Sequence, residues 1–194
     1  MTNRRFLFLL GSSRQGGNTE LLARRAAEQL PDGVEQEWVR LVDRPLPDFA
    51  DLRHDEGYTA PAGPDARYLL DATLAATDLV IASPLYWYSV SGLTKRYLDH
   101  WSAWLRVPGV DFRGTMAGRT LWGVTAYASR ASLADPLAGT LHHTAAFMKM
   151  RFGGVLLGNG TDREDVLKDE EAMARAKNFF SEEAPLARFP DEVG

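Results

Sequence analysis

The sequence predicts an α/β fold of three layers: a five-stranded parallel sheet in the order 2-1-3-4-5, with helices on both faces. Three observations predict it. Strand-like and helix-like segments alternate along the whole chain, five of each, which is the pattern of crossover units rather than of hairpins. Two of the strand-like runs, Phe6 to Leu10 and Leu79 to Ala82, are apolar at every position, as a strand covered on both sides must be. A third run, Glu35 to Arg40, is mostly polar and suits a sheet edge, so the pattern bears on strand order as well as number. No repeat, low-complexity block or linker divides the 194 residues, and 1–194 reads as a single domain.

Each element has a local reason. The first strand, Arg5 to Leu10, leads through a Gly-rich loop into a helix from Asn18 to Leu30, with Asn18 at its cap and Pro31-Asp32-Gly33 as its stop. After the edge strand, Asp43 to Gly63 is irregular and too long to be only a connector, which makes it a candidate wall of a site. Helices are then expected over Asp65 to Ala76, Gly92 to Leu105 and Pro136 to Met150, alternating with strands at Leu79 to Ala82, Thr120 to Thr125 and Phe152 to Leu157. Thr161-Asp162-Arg163-Glu164 has the spacing of a capping box and opens a last helix running to about Phe180.

Composition narrows the chemistry. A net charge of -4 and a pI near 5.6 give no basic face for nucleic acid. With no cysteine, disulfides, iron-sulfur ligation and thiolate catalysis are excluded, so redox work would need an organic cofactor. The apolar run Phe6 to Leu10 is too short for a signal peptide or a membrane span, and a cytoplasmic location is the default. His142 and His143 are adjacent on a helix and point about 100° apart, which does not make a metal pair, so no metal is expected. His54-Asp55-Glu56 and Asp169-Glu170-Glu171 read as solvated charge runs, and no Gly-x-Ser-x-Gly elbow supports a hydrolase. Trp101, Trp104 and Leu105 recur at helical spacing and belong to a core or a subunit interface.

Gly11-Ser12-Ser13-Arg14-Gln15-Gly16-Gly17-Asn18-Thr19 is the most informative segment. A loop between a buried strand and a helix brings free amides and the positive end of the helix dipole to one point, which suits a phosphate. Ser12, Asn18 and Thr19 add neutral donors and Arg14 adds charge. The loop lacks the Gly-Lys-Ser/Thr ending of a P-loop and the Gly-x-Gly-x-x-Gly spacing of a pyrophosphate site, which leaves a monophosphate. The competing reading is a tight turn before a capped helix. A second loop, Ser83-Pro84-Leu85-Tyr86-Trp87-Tyr88-Ser89-Val90-Ser91, follows a central strand, at the edge where such sheets bind ligands. Its three adjacent aromatics suit a flat apolar ring, or alternatively pack beneath neighbouring loops.

These two motifs, GSSRQGGNT at Gly11 to Thr19 and SPLYWYSVSGLTKRYLDHW at Ser83 to Trp101, resemble those of the NADPH-dependent FMN reductase and NAD(P)H:quinone reductase group of flavodoxin-like proteins. The resemblance spans most of the chain. It implies that Ser12, Arg14, Asn18 and Thr19 hold the FMN phosphate. It implies too that Pro84, Leu85, Tyr86 and Trp87 run along the flavin, and that a third cofactor loop falls at Thr125-Ala126-Tyr127-Ala128-Ser129, with Thr125, Ala126 and Tyr127 at the cofactor. Cysteine-bearing members of the group carry a cluster where this chain reads Pro45 to Arg53 without cysteine, so electron storage in a cluster is excluded here.

The function so implied is an FMN-dependent NAD(P)H oxidoreductase that passes two electrons from reduced nicotinamide to a small acceptor such as a quinone, an azo or nitro compound, or a flavin. Nicotinamide and acceptor would take turns at one ring face, and amides after Thr125 would approach the pyrimidine edge. No catalytic side chain is required, with Tyr127 either assisting or only packing. The resemblance also implies a homodimer. The alternative is an FMN electron carrier that docks on protein partners.

Overall fold

The computed structural model describes residues 4–190. Its sheet contains β1 (Arg5–Leu10), β2 (Glu35–Arg40), β3 (Asp78–Ala82), β4 (Thr120–Tyr127) and β5 (Arg151–Asn159), all parallel, in the order β2-β1-β3-β4-β5. The expected order and the polar edge strand are both observed.

Alternation along the strands supplies two cores. Leu7, Leu9, Leu79, Ile81 and Leu121 face one side, where α2 (Pro64–Ala75), α3 (Gly92–Trp104) and α5 (Asp135–Phe147) cover them. Phe6, Phe8, Val80, Trp122 and Val124 face the other, under α1 (Asn18–Ala27) and α6 (Glu170–Ala176). Each fully buried large side chain contributes about 1.5–3 kcal/mol, so both faces anchor the sheet. Trp101 and Trp104 lie inside the first core, edge-on to Tyr97 and Phe112.

Several boundaries differ from the expectation, each for a local reason. The residue capping α1 is Gly17 and not Asn18, which instead lies inside the first turn and donates its Nδ2 to the Asp162 carbonyl at 2.8 Å. The capping box at Thr161 does not form, because Glu164 adopts φ 65 and leaves the helical region. Asp169 takes over the capping role: Oδ1 accepts from Ala172 N at 3.0 Å and Oδ2 from Asn159 N at 2.7 Å. The long last helix is thereby broken into a 3-10 turn, α6 and a second 3-10 turn, and Asp169 is no mere solvated charge. A short helix, α4 (Phe112–Met116), opens on Asp111, whose carboxylate accepts from Gly114 N. Opposite Trp122, β5 bulges at Gly153 and Gly154, and a Cβ at Gly153 would lie 2.0 Å from the indole.

The irregular segment after β2 does not wall the main cleft. It folds along α3, where the Pro47 carbonyl meets His100 Nε2 at 3.0 Å and Tyr58 Oη donates to Ala50 O at 2.9 Å. Together with His100, Ala103 and Trp104 it encloses a separate cavity of about 420 Å³.

Candidate functional site

All five strands run the same way, so the loops after β1, β3, β4 and β5 emerge at one sheet edge. They enclose a cleft of about 460 Å³. Its floor on the β1 side is the start of α1. The amides of Asn18, Thr19 and Glu20 open that helix and have no intrahelical acceptor, while the cap residue Gly17 offers no side chain in their way. Ser12 and Arg14 stand beside them, with Ser12 Oγ accepting the Arg14 amide at 3.1 Å. Gly16, at φ 65, turns the loop toward the helix, a conformation natural for glycine.

The loop after β3 forms the opposite wall. Pro84 and Leu85 are half-buried and line the cleft, and the chain then makes a two-residue reversal. Tyr86 and Ser89 exchange both backbone hydrogen bonds at 3.1 Å, with Trp87 at φ 49 and Tyr88 at φ 66 between them. Two consecutive left-handed residues, neither a glycine, hold about 1–3 kcal/mol of strain each. The fold supports the tip from below: Ser91 caps α3, donates its hydroxyl to Gly11 O at 2.6 Å and receives the Thr94 amide. The tip itself projects, with Trp87 92% exposed.

The end of β4 and the loop after it close the remaining side with Ala126, Tyr127 and Arg130. It is stitched to the first loop, because the Ala126 amide donates to Thr19 Oγ1 at 3.3 Å. Of the residues singled out in the sequence, Ser12, Arg14, Asn18, Thr19, Pro84, Leu85, Tyr86, Trp87, Ala126 and Tyr127 all meet at this cleft. Thr125 does not. It is fully buried beneath the loop, and its hydroxyl has no partner among the described residues. The competing reading of the aromatics as core is not what is seen, since Tyr86, Trp87 and Tyr88 are at least half exposed.

Four cleft residues escape the sequence motifs: Arg130, Leu133, Gly160 and Thr161. Gly160 and Thr161 follow β5, so their position after a strand was the available signal. Gly160 is also tight, since a Cβ there would lie 2.8 Å from Asn18 Nδ2 and from Val166 N. Arg130 carried no signal beyond its charge.

The donor set decides what fits. The cleft lining holds two guanidiniums, several hydroxyls and the free amides of a helix start, and no carboxylate. That is the chemistry of a phosphate site joined to an aromatic slot, and it matches a phosphorylated ring cofactor of the FMN kind.

A five-stranded 2-1-3-4-5 sheet with its cleft at the carboxyl ends of the strands defines a flavodoxin-like protein. Residues 4–160 match the family model of the NADPH-dependent FMN reductases, and the chain belongs to that family. It is 32% identical over 172 residues, 88% of this chain and 93% of the relative, to YwqN of Bacillus subtilis (strain 168), a protein named as an NAD(P)H-dependent FMN-containing oxidoreductase. Among solved structures it resembles the Trp repressor binding protein from Bacillus subtilis at a TM-score of 0.72 and 26% identity, covering 90% of this chain and 97% of that one. The FMN-dependent NADH-azoreductase from Bacillus anthracis str. Ames Ancestor, solved in complex with FMN, shares the fold at a TM-score of 0.64 and 13% identity, covering 92% and 98%. No helix among the described residues is long and apolar enough to cross a membrane.

Proposed function

We propose that this chain is an FMN-dependent reductase that takes two electrons from NAD(P)H and delivers them to a small ring-bearing acceptor such as a quinone, an azo or nitro compound, or a free flavin. The observation that carries the reading is the single cleft in which a helix-start phosphate site faces an aromatic slot. The bound flavin would supply the redox chemistry, and the protein supplies placement. In this reading Ser12, Arg14 and the amides of Asn18 and Thr19 hold the phosphate. Thr19 Oγ1, committed to the Ala126 amide, fixes the distance between the first and third loops. Asn18, committed through Nδ2 to the Asp162 carbonyl, ties the loop after β5 to the same point. Pro84, Leu85, Tyr86 and Trp87 flank the ring, and Tyr127 is the phenol to test for assistance in proton transfer.

The acceptor enters from the side of the hairpin tip, where Trp87 stands in solvent. Such exposure of an indole at a cleft mouth also favours a second protomer covering it, so the reading includes a homodimer. A cysteine-free chain that draws on reduced nicotinamide fits the cytoplasm.

The test is anaerobic mixing of FMN-loaded protein with NADPH or NADH while flavin absorbance is followed. Bleaching is expected within about a second, given ordinary turnover rates, and an added quinone restores the colour. A protein that takes up FMN and stays oxidised with both nicotinamides is a carrier and not this enzyme.

A further inference from the structure

The cleft is positive in a protein that is negative overall. The chain carries a formal charge of -4, yet the cleft is lined by Arg14 and Arg130 and by no aspartate or glutamate. Most of the other arginines are tied up: Arg24 by Glu20, Arg40 by Asp43, Arg44 by Asp65, Arg53 by Asp51 and Arg96 by Asp48. Arg14 and Arg130 are exposed, and among the described residues neither guanidinium is held by an ion pair, a hydrogen bond or a ring. One cofactor monophosphate accounts for one of them. Arg14 belongs to the loop that opens α1, so it is the one accounted for.

Arg130 stands elsewhere. It follows β4, and β4 is separated from β1 by β3, so the two loops leave the sheet about 10 Å apart. Its backbone is fixed by what flanks it. The Leu133 amide bonds to the Arg130 carbonyl, and the 3-10 turn from Ala131 to Ala134 runs straight into α5. The side chain therefore projects from an anchored corner into a slot whose neighbours are Tyr127, Ser129 and Leu133. An unpaired guanidinium on an anchored backbone beside an aromatic slot is suited to an anionic oxygen group on a ring-bearing ligand, because its planar fork can hold two oxygens of a phosphate or sulfonate.

We propose that Arg130 is a second anion-recognition residue of the cleft, distinct from the cofactor-phosphate site, and that it selects redox partners carrying a phosphate or sulfonate. The inference rests on the reductase reading above. Two partners of that reading bear such a group: a reduced nicotinamide with a 2′-phosphate, and an acceptor with an acidic substituent. In either case the anion meets Arg130 while the ring of the same molecule lies against the slot.

The experiment compares Arg130→Ala and Arg130→Lys with the wild-type FMN-loaded protein. By calorimetry, adenosine 2′,5′-bisphosphate is expected to bind Arg130→Ala about tenfold more weakly or worse, the loss due to one charge-assisted contact, while adenosine 5′-monophosphate shifts far less. In steady state the ratio of kcat/KM for NADPH over NADH falls by a similar factor, through KM, and Arg130→Lys recovers part of it. If the ratio that falls is instead the one for a sulfonated over a neutral naphthoquinone, the acceptor is the source of the anion and the proposal stands in that form. If Arg130→Ala alters neither ratio, or if its FMN affinity drops as far as that of Arg14→Ala, the proposal is overturned. The wild-type bleaching assay keeps the two readings apart: bleaching without discrimination by Arg130 defeats only this inference, whereas absence of bleaching defeats the reductase itself.

Discussion

The carboxylate of Glu20 accepts the Gly16 amide at 2.9 Å with one oxygen and the Arg24 guanidinium at 2.8 Å with the other. An almost fully buried acid on the first turn of α1 thus fixes the loop just ahead of it, and its charge is balanced from the next turn. Arg24 in turn lies 4.3 Å over the ring of Trp38, which stacks on Phe8 at 3.9 Å, so the device is rooted in the core of the sheet. An unbalanced carboxylate under an anion site would oppose the anion.

Arg24→Met is therefore expected to weaken FMN binding more than Glu20→Gln does, and the double variant to recover part of the loss. Because Arg24 is 47% exposed, the stability lost in Arg24→Met is about 1–2 kcal/mol, below the figure for a fully buried pair. Flavin fluorescence titration and urea unfolding measure the two effects. Equal FMN affinities across the set would remove Glu20 from any part in positioning the loop.

At the proposed phosphate site, Arg14→Ala should cost about 1.5–3 kcal/mol of FMN affinity, the range for a hydrogen bond to a charged group. Since Arg14 is exposed and supports nothing else, its melting temperature without FMN should hold. A titration with unchanged affinity would take Arg14 off the phosphate.

The strained tip predicts a gain in stability. Trp87 is 92% exposed and held at φ 49, so Trp87→Gly relieves strain without opening a cavity. We expect about 0.5–1 kcal/mol of added stability, reduced by the entropy that glycine adds to the unfolded chain. Turnover of a ring-bearing acceptor should fall in the same variant. A destabilised Trp87→Gly would mean the indole packs against something that carries the fold.

Gly11→Ala probes the junction of the two main loops. A Cβ there would fall 2.0 Å from Thr94 Oγ1 and 2.9 Å from Ser91 Oγ, both buried. Overpacking of this kind costs about 1–3 kcal/mol, and Gly11→Ala with Thr94→Ala should return part of it. Thermal melts of the three variants decide the matter, and additivity would argue against the contact.

Tyr97 is fully buried with its hydroxyl shared with Thr73 at 2.6 Å, and burial pushes its pKa well above the ordinary value near 10. A phenol whose folded pKa exceeds its unfolded one adds stability that is complete below about pH 10 and is lost as the pH climbs above it. Alkaline unfolding should therefore begin above about pH 10 and be displaced upward in Tyr97→Phe. Phenolate absorbance from this residue should appear only with unfolding, and its appearance in the folded protein would contradict the burial argument.

How much of this was legible in advance depended on whether the signal was local. Strand order followed from two all-apolar runs and one polar run, because burial on both faces leaves no alternation to read. The first and second loops were legible because their signals are local too: Gly16, Gly17 and the Tyr86-Trp87-Tyr88 run are contiguous, and their place after a central strand puts them at the carboxyl edge of the sheet. The last helix was misread because Thr161 and Glu164 have capping-box spacing, while the stronger cap, Asp169, owes its position to the Asn159 amide of β5.

What the sequence by itself determined was the class of fold, the sheet edge at which the two loops lie and the residue types of those loops, all set by periodicity and composition within short windows. Only the tertiary structure decided that Thr19 bonds to Ala126, 107 residues away, that Thr125 is buried out of reach, and that the segment from Asp43 to Gly63 walls a different cavity. It also set Arg130 on the cleft wall without a side-chain partner among the described residues. These outcomes depend on which strands are neighbours and how far their loops project, and no window of sequence contains that distance.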